Sequence, residues 1–385
     1  MAVGLVALKR GPSNKLYSYY HPDVLAITGM SDPGWVATDL GLSAQDADTA
    51  YLSNIENGDA WLCVIGDASA GANRIMYSLD NLASLVDPEL SFNLDNYQGF
   101  DAYNRHIWIA HQTIPGESSM TLSRVEWNDG SPQAVALRED WGHKDYPPRV
   151  SACSENLVSY FRRCWSNAWG NCDTDHVYYC HSIDGGDSWT DHDLGDWSNR
   201  GGGSRDDRPA WVWRISENEV MYATYLGEIC YSDDGGENWM QLQAYYTDGT
   251  EVYDYSVNGR HLYIPAKITG SENFHYAEAN GVGWDRTVSP VPNNAQSIDA
   301  CNFTNLGTED GQERMVVSLR GFWWEKLYIT DDSGATWAEI SPSGYNQYGC
   351  NHVGIACRPA FPLASMYGPW MKGMTSGEVL EDYAA

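Results

Sequence analysis

The sequence predicts an all-β chain made of repeated antiparallel sheets, and three observations carry that prediction. Helical periodicity is almost absent along the 385 residues. Runs of roughly five to eight residues rich in Val, Ile, Tyr and Trp alternate with clusters of Gly, Asp, Asn and Ser about every ten residues. Three stretches about fifty residues apart are close copies of one another: Ser182-Ile183-Asp184-Gly185-Gly186-Asp187-Ser188-Trp189, Ser232-Asp233-Asp234-Gly235-Gly236-Glu237-Asn238-Trp239 and Thr330-Asp331-Asp332-Ser333-Gly334-Ala335-Thr336-Trp337. A length that would allow two or three ordinary domains therefore reads as one repetitive domain.

Degenerate copies extend the series. Ala277 to Trp284 keeps the glycine, Gly281, and the Trp; Glu126 to Gly130 keeps Asn128 and the glycine; Ser78 to Leu85 keeps Ser78 and Asp80 with Leu85 at the Trp position. The weakest, Lys15 to Leu25, aligns by its preceding strand and by Leu25. The markers then fall at Pro22, Leu82, Gly130, Gly186, Gly236, Gly281 and Gly334, which defines seven units of about fifty residues. A four-stranded antiparallel sheet with its turns needs about 40 to 50 residues, so each unit is one blade of a β-propeller. The expectation is a seven-bladed β-propeller over residues 1–370, with six blades as the alternative and 371–385 as a short tail. The run from His352 to Met366 supplies inner strands for a blade that Val3 to Leu40 completes, so the two ends close the ring without a free edge.

The three clean copies resemble the Asp box, S/T-x-D-x-G-x-x-W, of sialidase-like (BNR repeat) β-propellers. The physics of the residues suits a structural part. Asp184, Asp234 and Asp332 can accept backbone N–H groups of their own turn, and Gly186, Gly236 and Gly334 supply the positive φ a tight hairpin needs. Trp189, Trp239 and Trp337 then fold under the turn, while Ser182, Ser232 and Thr330 open it. In that family the boxes lie on the face away from the ligand, so the resemblance implies that these twelve residues are structural.

Composition removes several function classes. Fifty-two acidic against 23 basic side chains give a formal charge of −29, which excludes a direct nucleic-acid binder and disfavours an anionic membrane surface. No apolar run is long enough to span a bilayer. The N-terminal run places Lys9 and Arg10 after its apolar stretch, the wrong order for a signal peptide, so export by that route is not expected. The 9 cysteines are scattered, several within apolar runs such as Val177-Tyr178-Tyr179-Cys180, and read as buried thiols. Cys164 and Cys172 share one loop and could pair in an oxidising setting. No zinc spacing, phosphate-binding glycine loop or Ser-His-Asp motif is present, so no metal and no cofactor are expected.

Function is therefore sought on the loops that lead into the innermost strands or join second to third strands, on the face opposite the boxes. At those entries Asp recurs: Asp46 and Asp48, Asp101, Asp206 and Asp207, Asp254 and Asp299. Either these carboxylates ring the axis and attract cations, or each bonds its own turn. The unit ending at Trp189 carries insertions. Its second-to-third-strand loop, Arg162 to Asp173, and the loop from Asp196 to Arg208 bring together Trp165, Trp169, Trp197, Arg205 and Arg208 with a run of glycines. Trp faces stack on sugar rings and Arg bonds hydroxyls or carboxylates, so these five residues are the expected ligand platform.

An active sialidase uses three Arg against the substrate carboxylate, one in an N-terminal Arg-Ile-Pro, and a Tyr nucleophile. Here Lys9-Arg10-Gly11-Pro12 departs from that motif. Arg149, Asp207, Arg208 and Tyr253 are the catalytic candidates if the chain is an enzyme. The first reading is a non-catalytic propeller facing a glycan or protein receptor. A chain without an export signal reaches glycans when it rides on a virus particle, so it resembles a tail or receptor-binding component that sits among other virion proteins; a cytoplasmic location is the alternative. A sialidase-like glycoside hydrolase or polysaccharide lyase, and a protein-binding assembly factor, are the other readings.

Overall fold

The computed structural model describes residues 4–10, 15–27, 34–43, 46–55, 58–67, 72–88, 90, 95–112, 119–126, 133–141, 150–164, 176–196, 209–224, 228–244, 251–252, 256–258, 261–268, 271–279, 284–289, 300–309, 312–321, 324–332, 336–342, 345 and 355–357. Among these the only helical element is a single 3-10 turn, Val24–Ala26; everything else that is regular is strand, numbered β1 to β28 in chain order. No helix there is long and apolar enough to cross a membrane.

The strands form seven antiparallel sheets in two compact units. The first unit, 1–88 with 247–366, holds four sheets. One is ordered β28-β1-β2-β3, from Ile355–Cys357, Leu5–Arg10, Lys15–His21 and Val36–Ser43. The others are β4 (Asp46–Ile55), β5 (Gly58–Asp67) and β6 (Ala72–Ser78), then a sheet spanning β19 to β23 between Glu251 and Ser289, and one spanning β24 to β27 between Ala300 and Glu339. The second unit, 89–246 with 367–385, holds three four-stranded sheets. They are β7 (Asp95–Tyr103) to β10 (Gln133–Trp141), β11 (Val150–Ala152) to β14 (Thr190–Asp196), and β15 (Pro209–Arg214) to β18 (Met240–Ala244). Between their ends lie β8 (His106–Gln112), β9 (Ser119–Glu126), β12 (Val158–Cys164), β13 (His176–Ser182), β16 (Val220–Thr224) and β17 (Glu228–Ser232).

Strand β1 shows why the N-terminal run is apolar without alternating. Val6 and Leu8 pack with Leu16, Met76 and Leu82 on one face, while Leu5 and Ala7 pack with Tyr19, Leu306, Val316 and Leu327 on the other. A strand buried on both faces carries an unbroken hydrophobic run. It also pairs along its edge with β28, Leu5 opposite Cys357 and Ala7 opposite Ile355, so residues some 350 positions apart share one sheet.

In the second unit the apolar layers lie between sheets. Trp108, Ala110, Leu122, Val158, Tyr160 and Cys180 form one, and Phe161, Val177, Tyr179, Val212, Val220 and Tyr222 the next. Odd and even positions of β13 thus face different neighbours, as a period of two requires. The first strands β7, β11 and β15 run side by side, and side chains lace them. Asp101 Oδ2 accepts the Ala152 N–H at 2.8 Å, and Ser151 Oγ accepts the Arg214 N–H at 2.9 Å. Asp101 stands next to the 104–105 turn at the end of β7, not at its entry, and its other oxygen accepts Ala102 N–H at 2.8 Å. It bonds its own strand and the next sheet, so the mouth position read from the sequence is corrected for this residue.

Candidate functional site

The two edges of the β11–β14 sheet are built differently. At one edge β12 ends at Cys164, opposite His176 at the start of β13, and His176 is opposite Asp196 at the end of β14. The insertions at 165–175 and 197–208 therefore leave from neighbouring positions of a single edge. Arg162 lies within β12 rather than in the loop the sequence suggested, because its register with Tyr178 extends the pairing to Cys164.

Beside that edge is a polar and aromatic patch. The Arg162 guanidinium sits 4.3 Å over the Tyr178 ring and donates to Asp191 Oδ2 at 2.9 Å. Arg138, from the adjacent sheet, clasps the same carboxylate with two bonds of 2.7 Å. Burial would raise the Asp191 pKa, but the hydrogen bonds and charge of Arg138, joined by Arg162, outweigh it and hold the carboxyl down to about 2. His176 Nδ1 meets both Asp193 oxygens, at 2.9 and 2.8 Å, and its ring stacks at 28° on Tyr178. The guanidiniums of Arg138 and Arg162 balance the carboxylates of Asp191 and Asp193 in formal charge. Donors, acceptors and an aromatic face so arranged suit a ligand of hydroxyls. Sequence reading missed Arg138 and Asp191, because residues 53 apart on separate strands leave no local signal.

The opposite edge carries turns that are closed on themselves. In 182–189 the Ser182 hydroxyl donates to Asp184 Oδ1 at 2.7 Å and accepts Gly186 N–H at 2.7 Å; Asp184 then accepts Ser188 N–H at 2.9 Å and the Ser188 hydroxyl at 2.5 Å. The 232–239 turn repeats this with Gly236 N–H to Ser232 at 2.9 Å and Asn238 N–H to Asp234 at 2.9 Å. Thr330, Asp332 and Thr336 make the matching set, with Gly334 outside the described residues. The first two turns are also tied to the first-to-second-strand turns of their own sheets: Gly185 N–H to Asn156 O at 2.9 Å and Gly235 N–H to Asn218 O at 2.7 Å. Ser188 and its neighbours hold the Asp184 carboxyl far below the usual range, and Asn238 holds Asp234 down to about 2. Trp189 donates Nε1–H to Gly186 O at 3.0 Å and meets Tyr160 edge-on, while Trp239 meets Tyr179 edge-on at 5.3 Å between centroids. The Lys15 to Leu25 copy differs: its Asp23 precedes the 3-10 turn without a side-chain cap.

Arg149, Trp165, Trp169, Trp197, Arg205, Asp207, Arg208 and Tyr253, together with Cys172, lie outside the described residues. Cys153, Cys180 and Cys230 are buried. Among the described residues no group of three or more His, Cys, Asp or Glu side chains is placed to hold a metal ion.

No protein-family profile matches the chain, and no curated protein matches it. Solved structures do. A protein from Lactobacillus plantarum superposes with a TM-score of 0.53 at 11% identity, covering 92% of this chain and 99% of that one. A Bacteroides uniformis protein named for 6-phosphogluconolactonase gives 0.53 at 10%, covering 92% and 98%. YCF48 from Cyanidioschyzon merolae gives 0.50 at 12%, covering 80% and 89%. The chain is a β-propeller in fold class. Identities this low speak for fold alone, and the neighbours' functions vary.

Proposed function

We propose that the chain is a non-catalytic, seven-bladed recognition propeller that binds a glycan through the 165–175 and 197–208 loops and the adjoining Arg162–Tyr178 patch. The observation that carries this reading is the register Cys164–His176–Asp196, which sends both insertions out from one sheet edge. Trp165, Trp169, Trp197, Arg205 and Arg208 supply the stacking faces and donors. The turns at 78–85, 182–189, 232–239 and 330–337 are structural, as in the Asp-box propellers they resemble, and the pairing of β1 with β28 supports a ring closed by the two chain ends. Display of many copies on a virion tail would let weak single sites act together.

A glycan array tests the reading. Replacing Trp165, Trp169, Trp197, Arg205 or Arg208 by Ala should each weaken the captured ligands about tenfold, since one such contact is worth roughly 1–3 kcal/mol. Release of sugar from the same ligands, lost on changing Tyr253, Arg149 or Asp207, would make the chain a glycoside hydrolase instead. An array without ligands would leave a protein receptor or assembly partner.

A further inference from the structure

Arg214 closes β15 and is 4% exposed. One terminal nitrogen donates to the Tyr179 hydroxyl and the other to the Glu217 carbonyl, both neutral acceptors, and no ion pair reaches it among the described residues. Its Nε is buried and has no hydrogen-bond partner among the described residues. The ionisable groups around it do not supply the missing charge. Burial drives the Cys153 thiol up to about 12 and also raises Tyr179, so both stay protonated. Asp101, which shares Cys153 as a neighbour, turns its oxygens to the Ala102 and Ala152 N–H groups. A buried guanidinium facing only neutral oxygens is a charge that folding ordinarily pairs.

Two imidazoles lie against the Tyr179 ring whose hydroxyl Arg214 bonds. His181 and His192 stack at 11° with centroids 5.3 Å apart, and both also lie against the Tyr179 ring, at 5.5 and 6.0 Å. His181 Nδ1 and His192 Nε2 are buried without a hydrogen-bond partner among the described residues, although both side chains reach solvent. Burial, with Arg214 and His192 beside it, outweighs the opposing Asp191 carboxylate and lowers His181 to about 4, so its ring is a neutral donor at ordinary pH. A cation is repelled by Arg214. An anion meets one fixed positive charge and up to two ring N–H groups that the half-exposed imidazoles can turn toward it.

We propose that Arg214, His181 and His192 form a binding site for one small anion, a halide, inorganic oxyanion or carboxylate, between the β11–β14 and β15–β18 sheets. The site is separate from the loop-bearing edge and does not depend on the glycan reading. The test is thermal unfolding of the full chain against sodium chloride, sodium phosphate and sodium acetate, each titrated at constant ionic strength with a bulky organic sulfonate as balancing anion. A rise in melting temperature is expected for at least one of them, setting in near the dissociation constant and then growing with the logarithm of anion concentration, with a gain of about a hundredfold in the folding constant when the anion stands at a hundred times its dissociation constant. The anion whose rise sets in at the lowest concentration identifies the class, acetate pointing to a carboxylate ligand and chloride or phosphate to a free ion. Arg214→Met should abolish the anion-specific rise. Should that variant not fold, the double variant His181→Phe and His192→Phe should move its onset to at least tenfold higher anion concentration. Absence of an anion-specific rise in the unaltered protein, or an unchanged onset in the variants, overturns the proposal.

Discussion

The turns at 182–189 and 78–85 close with the same hydrogen bonds and opposite backbone chemistry. Ser78 donates to Asp80 at 2.6 Å and accepts Leu82 N–H at 2.8 Å, and Ser84 returns both its N–H and its hydroxyl to Asp80, just as Ser182, Asp184, Gly186 and Ser188 do. Yet the two left-handed positions are Gly185 and Gly186 in one turn, at φ of 77° and 106°, and Asn81 and Leu82 in the other, at 58° and 61°. The difference teaches that the Ser and Asp side chains suffice to fold the loop. Glycine at 186 and 236 answers to two further demands, a φ of 106° and 99° that lies well beyond those of Asn81 and Leu82, and packing. A Cβ on Gly186 would come within 2.4 Å of Leu137 Cδ1, and one on Gly236 within 2.3 Å of the Tyr179 ring. Leu82, by contrast, points into the cluster of Val6, Leu8 and Leu16 and is fully buried.

The largest expected effect follows from that contact. Gly236→Ala adds a methyl group against an aromatic ring fixed by Ser159 and Arg214, at a backbone φ of 99°. Overpacking and the disfavoured φ together should destabilise by about 2–5 kcal/mol. Gly186→Ala meets only the end of the flexible Leu137 side chain and should cost less, about 1–3 kcal/mol. Chemical denaturation of the two variants reads both. Equal losses would show that the positive φ, not the neighbouring sheet, sets the demand for glycine.

Leu82 gives a sharper test because it reverses an ordinary rule. Leu82→Ala removes a fully buried side chain and should cost about 2–5 kcal/mol. Glycine is usually worse than alanine, but at φ of 61° it relieves the left-handed penalty, so Leu82→Gly should be the more stable of the two by about 1 kcal/mol. Equilibrium unfolding of the pair decides it. If alanine proves the better replacement, the turn carries no strain and the comparison with 182–189 fails.

How much of this was legible in the sequence depends on how local each interaction is. Ser182, Asp184 and Ser188 sit within seven residues, so residue type and spacing announce their bonds, and even the degenerate Ser78-to-Leu85 copy could be placed by Ser78 and Asp80 alone. The all-β class and the antiparallel sheets were equally readable from short apolar runs and turn clusters. Asp101 was misplaced because a strand-end Asp looks the same at either end, and the span of β7 from Asp95 to Tyr103 shows which end it occupies. The Arg138–Asp191–Arg162 clasp joins three strands of two sheets, and the Arg214 cluster likewise joins residues from β13, β14 and β15. Neither has a period or a motif, so neither could be read before the strands were assembled.

The smallest effect concerns acid. Asp234 is held down to about 2, chiefly by the Asn238 N–H and side chain, against an unperturbed value of 3.8. As pH falls below about 4 the unfolded chain takes up this proton before the folded one does, so the stabilising contribution is complete above about 4 and is lost as pH drops through 2. Asp80 is also lowered, but its partial burial opposes Ser78 and Ser84, which narrows its window. Asp234→Asn should therefore flatten the decline of melting temperature between pH 4 and 2, and Asp80→Asn should flatten it less. Asn retains an acceptor oxygen for Asn238 N–H, so the variant isolates the charge from the hydrogen bond. A profile as steep in Asp234→Asn as in the parent would mean that the turn is held by its neutral bonds, and that the two turns do not differ in charge as they do in backbone.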